Sequence, residues 1–128
     1  MSESATAVRS ALTWFEIPTG DFERACRFYE TILEAPLNVH QFGPARIAVF
    51  PYDEAGVGGC LDESSESRPS DGGVVIYLPA HGRLDRALEL VEPAGGKVVA
   101  PKTEIPSVGF VAHITDSEGN RIGLHSKS

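Results

Sequence analysis

Hydrophobic and polar positions follow two different periods along the chain, and the change of period marks its elements. Residues 11–18, ALTWFEIP, are rich in aromatic and β-branched residues and predict a strand. Pro18-Thr19-Gly20 ends it, and Asp21 is placed to cap a helix, with Glu23 in the first turn. Phe22, Ala25, Cys26, Tyr29, Ile32 and Leu33 then recur at helical spacing, which predicts an amphipathic helix closing before Pro36. Residues 37–42, 45–51 and 56–61 predict short strands punctuated by Pro and Gly. The polar, Ser-rich stretch 62–72, DESSESRPSDG, reads as an exposed connection. The pattern then restarts. Residues 73–79, GVVIYLP, predict a strand, and Leu84, Ala87, Leu88 and Val91 predict a second amphipathic helix, closed by Pro93 and Gly95-Gly96. Residues 97–103, 109–115 and 120–125 predict three more strands, with Asp116-Ser117-Glu118-Gly119 as the last turn.

The restart is an internal repeat. Phe22-Glu23-Arg24-Ala25 matches Leu84-Asp85-Arg86-Ala87 at close to half the chain length. The order β-α-β-β-β therefore occurs twice. The chain reads as a polar tail, residues 1–10, and one α+β domain, residues 11–126. Modules 11–61 and 73–126 are joined by the loop 62–72. Two such modules can pair their sheets around a cavity.

Composition narrows the function classes. A chain of 128 residues can bury a core without covalent staples. A net charge of −7 disfavours nucleic acid and anionic membranes as partners. No apolar run is long enough to span a bilayer. The polar N-terminus does not read as a signal peptide, and Cys26 and Cys60 form no CxxC motif. Both features point to a reducing cytoplasm and free thiols.

Phosphate-loop, dinucleotide-binding and GxSxG motifs are absent. The histidines, His40, His81, His113 and His125, show neither HxH nor HExxH spacing. His40 and His81 fall in loop-like surroundings and read as surface residues. Gly56, Gly58 and Gly59 read as turn and sheet curvature. Cys26 lies on the apolar helix face and reads as a buried small hydrophobe.

The segments WFEIPTGDFERACRFYETIL (14–33), GGVVIYLPAHGRLDRALELVEPAGG (72–96) and PKTEIPSVGFVAHITDSEGNRIGLHS (101–126) together resemble the vicinal-oxygen-chelate superfamily. That superfamily includes glyoxalase I, bleomycin-resistance proteins and extradiol dioxygenases. The resemblance implies paired βαβββ modules, each a curled mixed sheet, forming a ligand cup, and it implies a homodimer. It also implies ligand positions for a divalent metal on the cup-facing strands. Here these fall on Trp14, on Val75 or Ile76, on Gly123, and near Gly58–Leu61, where Cys60 alone could ligate. Indole, aliphatic and glycine positions cannot hold such a cation. The expectation is a chain without the usual metal site and without a cofactor.

Strand alternation sorts the remaining side chains. If Trp14 faces the cup, Glu16 does too, while Phe15 and Ile17 face the core. Tyr77 shares a face with Val75; Arg121, Gly123 and His125 share another, and His113 lies on the neighbouring strand. The candidate ligand-binding set is therefore Trp14, Glu16, Cys60, Tyr77, His113, Gly123 and His125. Core packing is the competing reading for Trp14 and Tyr77, an exposed or ion-paired position for Glu16, and a structural role for the histidines. Glu16 is the candidate acid–base residue, since a carboxyl beside aromatics has a raised pKa. The expected function is binding of a small apolar or aromatic molecule without metal. The alternative is a lyase, isomerase or dioxygenase of the same superfamily with an unorthodox metal or acid–base site.

Overall fold

Asp21 caps the first helix as its sequence position predicts: its side chain accepts a hydrogen bond of 3.1 Å from the Arg24 amide. The computed structural model describes residues 10–64 and 68–128. Most of the tail, residues 1–9, and residues 65–67 of the connecting loop lie outside the described residues. The first module runs β1 (Trp14–Pro18), α1 (Phe22–Leu33), β2 (Asn38–Phe42), β3 (Ala45–Val49) and β4 (Gly58–Asp62). The second runs β5 (Tyr77–Pro79), α2 (Leu84–Val91), β6 (Lys97–Ile105), β7 (Gly109–Thr115) and β8 (Arg121–Ser126).

Each module forms one mixed four-stranded sheet, in the orders β1-β4-β3-β2 and β5-β8-β7-β6. In both, the first strand pairs in parallel with the last, and the other pairs are antiparallel. The repeat legible in the sequence is thus a repeat of topology. The core lies between each sheet and its helix. Ile17, Phe28, Tyr29, Ile32 and Leu61 are buried in the first module, and Leu84, Val91, Ile114 and Leu124 in the second.

The modules meet through α1 and α2 and through the turn between β7 and β8. Glu118 sits in that turn with its side chain fully shielded from solvent. It accepts from the backbone amides of Gly20 (2.8 Å) and Asp21 and from the Arg24 guanidinium (2.7 Å). A carboxylate at this helix N-terminus is favoured by charge as well as by hydrogen bonding. Burial pushes the Glu118 carboxyl up, but the Arg24, Asp21, Ser117 and Gly20 hydrogen bonds together outweigh it and hold it below its ordinary value. Beside it, Asp116 accepts from the Tyr29 hydroxyl (2.6 Å) and from Asn120, and the Asn120 amide donates to the Pro18 carbonyl (2.8 Å). Asp116, Glu118 and Asn120 therefore act as a clamp between modules.

Two predicted boundaries and one burial reading need correction where they bear on the site. The strand predicted over 73–79 shrinks to Tyr77–Pro79, because Gly73 turns at φ +90° and leaves Val74 89% exposed. The loop predicted from residue 62 begins later: Asp62 closes β4, and Glu63 is held by Arg46 through its backbone amide and guanidinium. Cys26 is only partly buried, since the helix face that carries it extends past the edge of the core.

Candidate functional site: a groove between the modules and two open sheet faces

The faces of the two sheets turned away from the helices carry most of the candidate residues. On the first, Trp14, Glu16 and Cys60 share one side, because Trp14 pairs with Gly58 and Glu16 with Cys60 across β1 and β4. Trp14 is 38% exposed and meets the Tyr52 ring edge-on, with centroids 6.1 Å apart. Glu16 is exposed, and its carboxyl lies close to that of Asp62, two residues beyond Cys60 on β4. Partial burial and the neighbouring Asp62 carboxyl raise the Glu16 carboxyl above its ordinary value. Cys60 is buried, and burial with the charges of Glu16 and Asp62 pushes its thiol up to about 11. It is a protonated, unreactive thiol at neutral pH.

On the second sheet Tyr77 pairs with Gly123, and Gly123 with His113. A side chain at Gly123 would lie 2.3 Å from the Tyr77 ring, so the glycine is what lets the tyrosine lie flat across β8. The Tyr77 hydroxyl reaches His113 Nε2 at 2.7 Å. Arg121 Nε donates to His113 Nδ1 at 3.2 Å. His125 sits one row further on, with Nε2 2.8 Å from the Val108 carbonyl and its ring edge-on to His81. His40 and His81 are exposed, as expected of surface residues.

Two cavities adjoin these faces. The larger, about 730 Å³, is a groove between the modules, walled by Phe15, Phe50, Tyr52, Ile76 and Tyr77, with Asp53, His81 and Arg83 as its charged and polar groups. The smaller, about 470 Å³, lies on the second sheet among Tyr77, Ile105, Val108, Val111 and His125. Tyr77 belongs to both. The structure does not gather the seven candidate residues around one cavity. Trp14, Glu16 and Cys60 stay on the first sheet, with Trp14 touching the groove only through Tyr52, and His113 and Gly123 lie under and beside Tyr77.

Several contributors escaped the sequence. Phe15 reads as a core residue and Phe50 only as part of a strand, yet both line the groove. Tyr52 and Asp62 fell in segments without a period. Arg121 was placed on the right face, but nothing in the sequence set it against a histidine.

Among the described residues, the positions to which the resemblance assigns metal ligands do not fit a divalent cation. Matching parallel pairs, Trp14 with Gly58 and Tyr77 with Gly123, make Tyr77 the counterpart of Trp14 in the second module, whereas Val75 and Ile76 precede β5. Trp14 and Gly123 supply no ligand atom, the Tyr77 hydroxyl is already bonded to His113, and Cys60 offers a single sulfur. Among the described residues no three His, Cys, Asp or Glu side chains are placed to hold a metal ion.

Comparison with known proteins follows the same lines. A family model described as Glyoxalase/Bleomycin resistance protein/Dioxygenase superfamily matches residues 11–124. A curated protein of Mycobacterium tuberculosis named "Putative glyoxylase CFP32" is 28% identical over 109 residues, covering 84% of this chain and 41% of that protein. The chain thus spans about two fifths of the length of the curated relatives it matches. Among solved structures, a glyoxalase/bleomycin resistance protein from Albidiferax ferrireducens superposes with a TM-score of 0.68 at 16% identity, over 93% of this chain and 100% of that one. The fosfomycin resistance protein FosX from Listeria monocytogenes gives 0.65 at 15% identity, over 95% and 94%. At such identities the structures speak for the fold alone, and they share the paired modules described above. With the family match spanning nearly every element from β1 to β8, the chain belongs to the glyoxalase/bleomycin resistance protein/dioxygenase superfamily.

Proposed function

We propose that this protein binds a small apolar or aromatic molecule in the groove between its modules, without a divalent metal, and that it does so as a homodimer. One observation carries the reading: the groove is walled mostly by aromatic and aliphatic side chains, with a few polar groups among them. That is the make-up of a small-molecule site, with apolar walls for affinity and a few polar groups for orientation. The donor chemistry at Trp14, Tyr77 and Gly123 supports metal-free binding. Exposed Trp14, Tyr52, Val74, Tyr77 and Val108 leave an apolar surface of the kind a second copy covers. The partners expected are therefore a small molecule and a second copy, with neither nucleic acid nor membrane. Among the described residues no helix is long and apolar enough to cross a membrane.

Thermal melting against a panel of neutral aromatic compounds, N-phenyl-1-naphthylamine among them, tests the reading. A ligand at ten times its Kd should stabilise the fold by about 1.4 kcal/mol, a rise in Tm of about 5 °C for a domain of this size. Gly59→Ala should weaken that binding about tenfold, since its Cβ would meet the Phe15 ring at 2.4 Å and displace a groove wall. If no compound moves Tm, the reading fails.

The Glu16–Asp62 pair favours a second reading, acid–base catalysis on the first sheet. A carboxyl raised above its ordinary value beside a second one is a candidate to give or take a proton. Under that reading Glu16→Gln should lower turnover about a hundredfold or more while leaving the melting-shift response to neutral aromatics intact. Unchanged turnover would remove Glu16 from catalysis.

A further inference from the structure

Arg121 departs from the pattern set by several other arginines. Arg24, Arg46, Arg83 and Arg86 each face a carboxylate at 3.5 Å or less. Arg121 is partly buried on the open face of the second sheet, and its one side-chain hydrogen bond runs from Nε to His113. Among the described residues neither terminal nitrogen of its guanidinium has a partner. In a chain with 18 acidic and 11 basic side chains, a carboxylate would be easy to place there.

The imidazole between Arg121 and Tyr77 fixes the direction of the whole chain of hydrogen bonds. A guanidinium nitrogen can only donate, so His113 Nδ1 must accept. The neutral ring then carries its proton on Nε2, which points at the Tyr77 oxygen 2.7 Å away. Tyr77 accepts that bond, and its own O–H has no other partner among the described residues. Two sets of donors are thus left without acceptors on one open face: the Tyr77 hydroxyl and the two terminal nitrogens of Arg121. Next to Tyr77 lies the cavity formed with Ile105, Val108 and Val111.

We propose that Tyr77, His113 and Arg121 form a receptor for the carboxylate of an apolar ligand whose body lies in the adjoining cavity. Tyr77 and Arg121 donate to the carboxylate, and His113 is a positioning residue that holds the phenol and guanidinium in place. The inference rests on the reading of this protein as a small-molecule binder and places a carboxylate-bearing ligand in the smaller cavity, which shares Tyr77 with the groove of that reading.

The test is calorimetric titration of the full chain with naphthalene-2-carboxylate and with its neutral counterpart, 2-naphthamide, at neutral pH. The carboxylate should bind at least about tenfold more tightly, as charge-assisted hydrogen bonds outweigh neutral ones. Tyr77→Phe keeps the ring over Gly123, and Arg121→Gln removes the charge; each should erase most of that preference, weakening carboxylate binding more than amide binding. Ring-nitrogen NMR shifts should place the neutral His113 proton on Nε2. Equal affinity for the two ligands overturns the carboxylate receptor and leaves the small-molecule reading standing. So does a preference that survives both substitutions, or a His113 proton on Nδ1. Binding of neither ligand overturns the receptor, while the groove reading stands or falls on its own melting panel.

Discussion

Glu118→Ala should destabilise the protein by about 3 kcal/mol, because it strips acceptors from donors that lie between the modules. The Glu118 carboxylate alone satisfies the Gly20 and Asp21 amides and both hydrogen bonds of Arg24. Hydrogen bonds to charged groups contribute about 1.5–3 kcal/mol each, and water entering the vacated space offsets part of the loss. For this length the change corresponds to a fall in Tm of about 10 °C. Glu118→Gln should cost less, since its amide oxygen can still accept from Asp21 while the charge is lost. The pH dependence has a definite sign. The Glu118 carboxyl is held below its ordinary value of 4.5, so its contribution is fully present above that pH and fades as the solution is acidified through the lower, folded-state value. Denaturant titrations of wild type and Glu118→Ala should therefore converge on acidification. A constant gap between them across the acidic range would show that the carboxylate is not what holds the modules together.

Gly96→Ala should cost about 3 kcal/mol for a different reason, overpacking at a backbone contact. A Cβ at Gly96 would lie 2.5 Å from the Thr115 carbonyl oxygen and 2.6 Å from Phe28 Cε1. The carbonyl belongs to β7 and cannot swing aside, and the Phe28 ring is fully buried against Tyr29. Relief requires moving α2 away from the first module. Gly119→Ala tests a separate effect, because it has open space around its Cβ and only its φ of +93° resists the change. Equal melting temperatures for Gly96→Ala and wild type would mean that the modules pack less closely than the structure has them.

The helices were legible because each writes its buried face directly into the sequence, Phe22 to Leu33 and Leu84 to Val91 at helical spacing. The repeat was legible because both modules use the same order of elements. Strand alternation also put Trp14 with Glu16 and Phe15 with Ile17 on opposite faces, as the structure has them. The site was less legible, since it depends on pairs far apart in the chain. Glu16 meets Asp62 only because β1 and β4 run in parallel side by side. The groove exists only where the wall of Phe15, Phe50 and Tyr52 faces the segment before β5. That segment looked like a long strand until Gly73 turned it out of the ladder. Asp116-Ser117-Glu118-Gly119 read as a turn, and nothing local shows that its carboxylates reach across to α1.

The central claim is binding of a small apolar molecule without metal, and the most direct test joins both halves of it. Protein incubated with excess zinc, manganese, nickel and iron, then desalted, is analysed for metal. An aromatic ligand found by thermal shift is then titrated into metal-loaded and chelator-stripped samples. The account expects no metal retained near one equivalent per chain and the same affinity in both samples. One retained equivalent, with binding that disappears on stripping, would contradict it and bring the lyase and dioxygenase readings to the front.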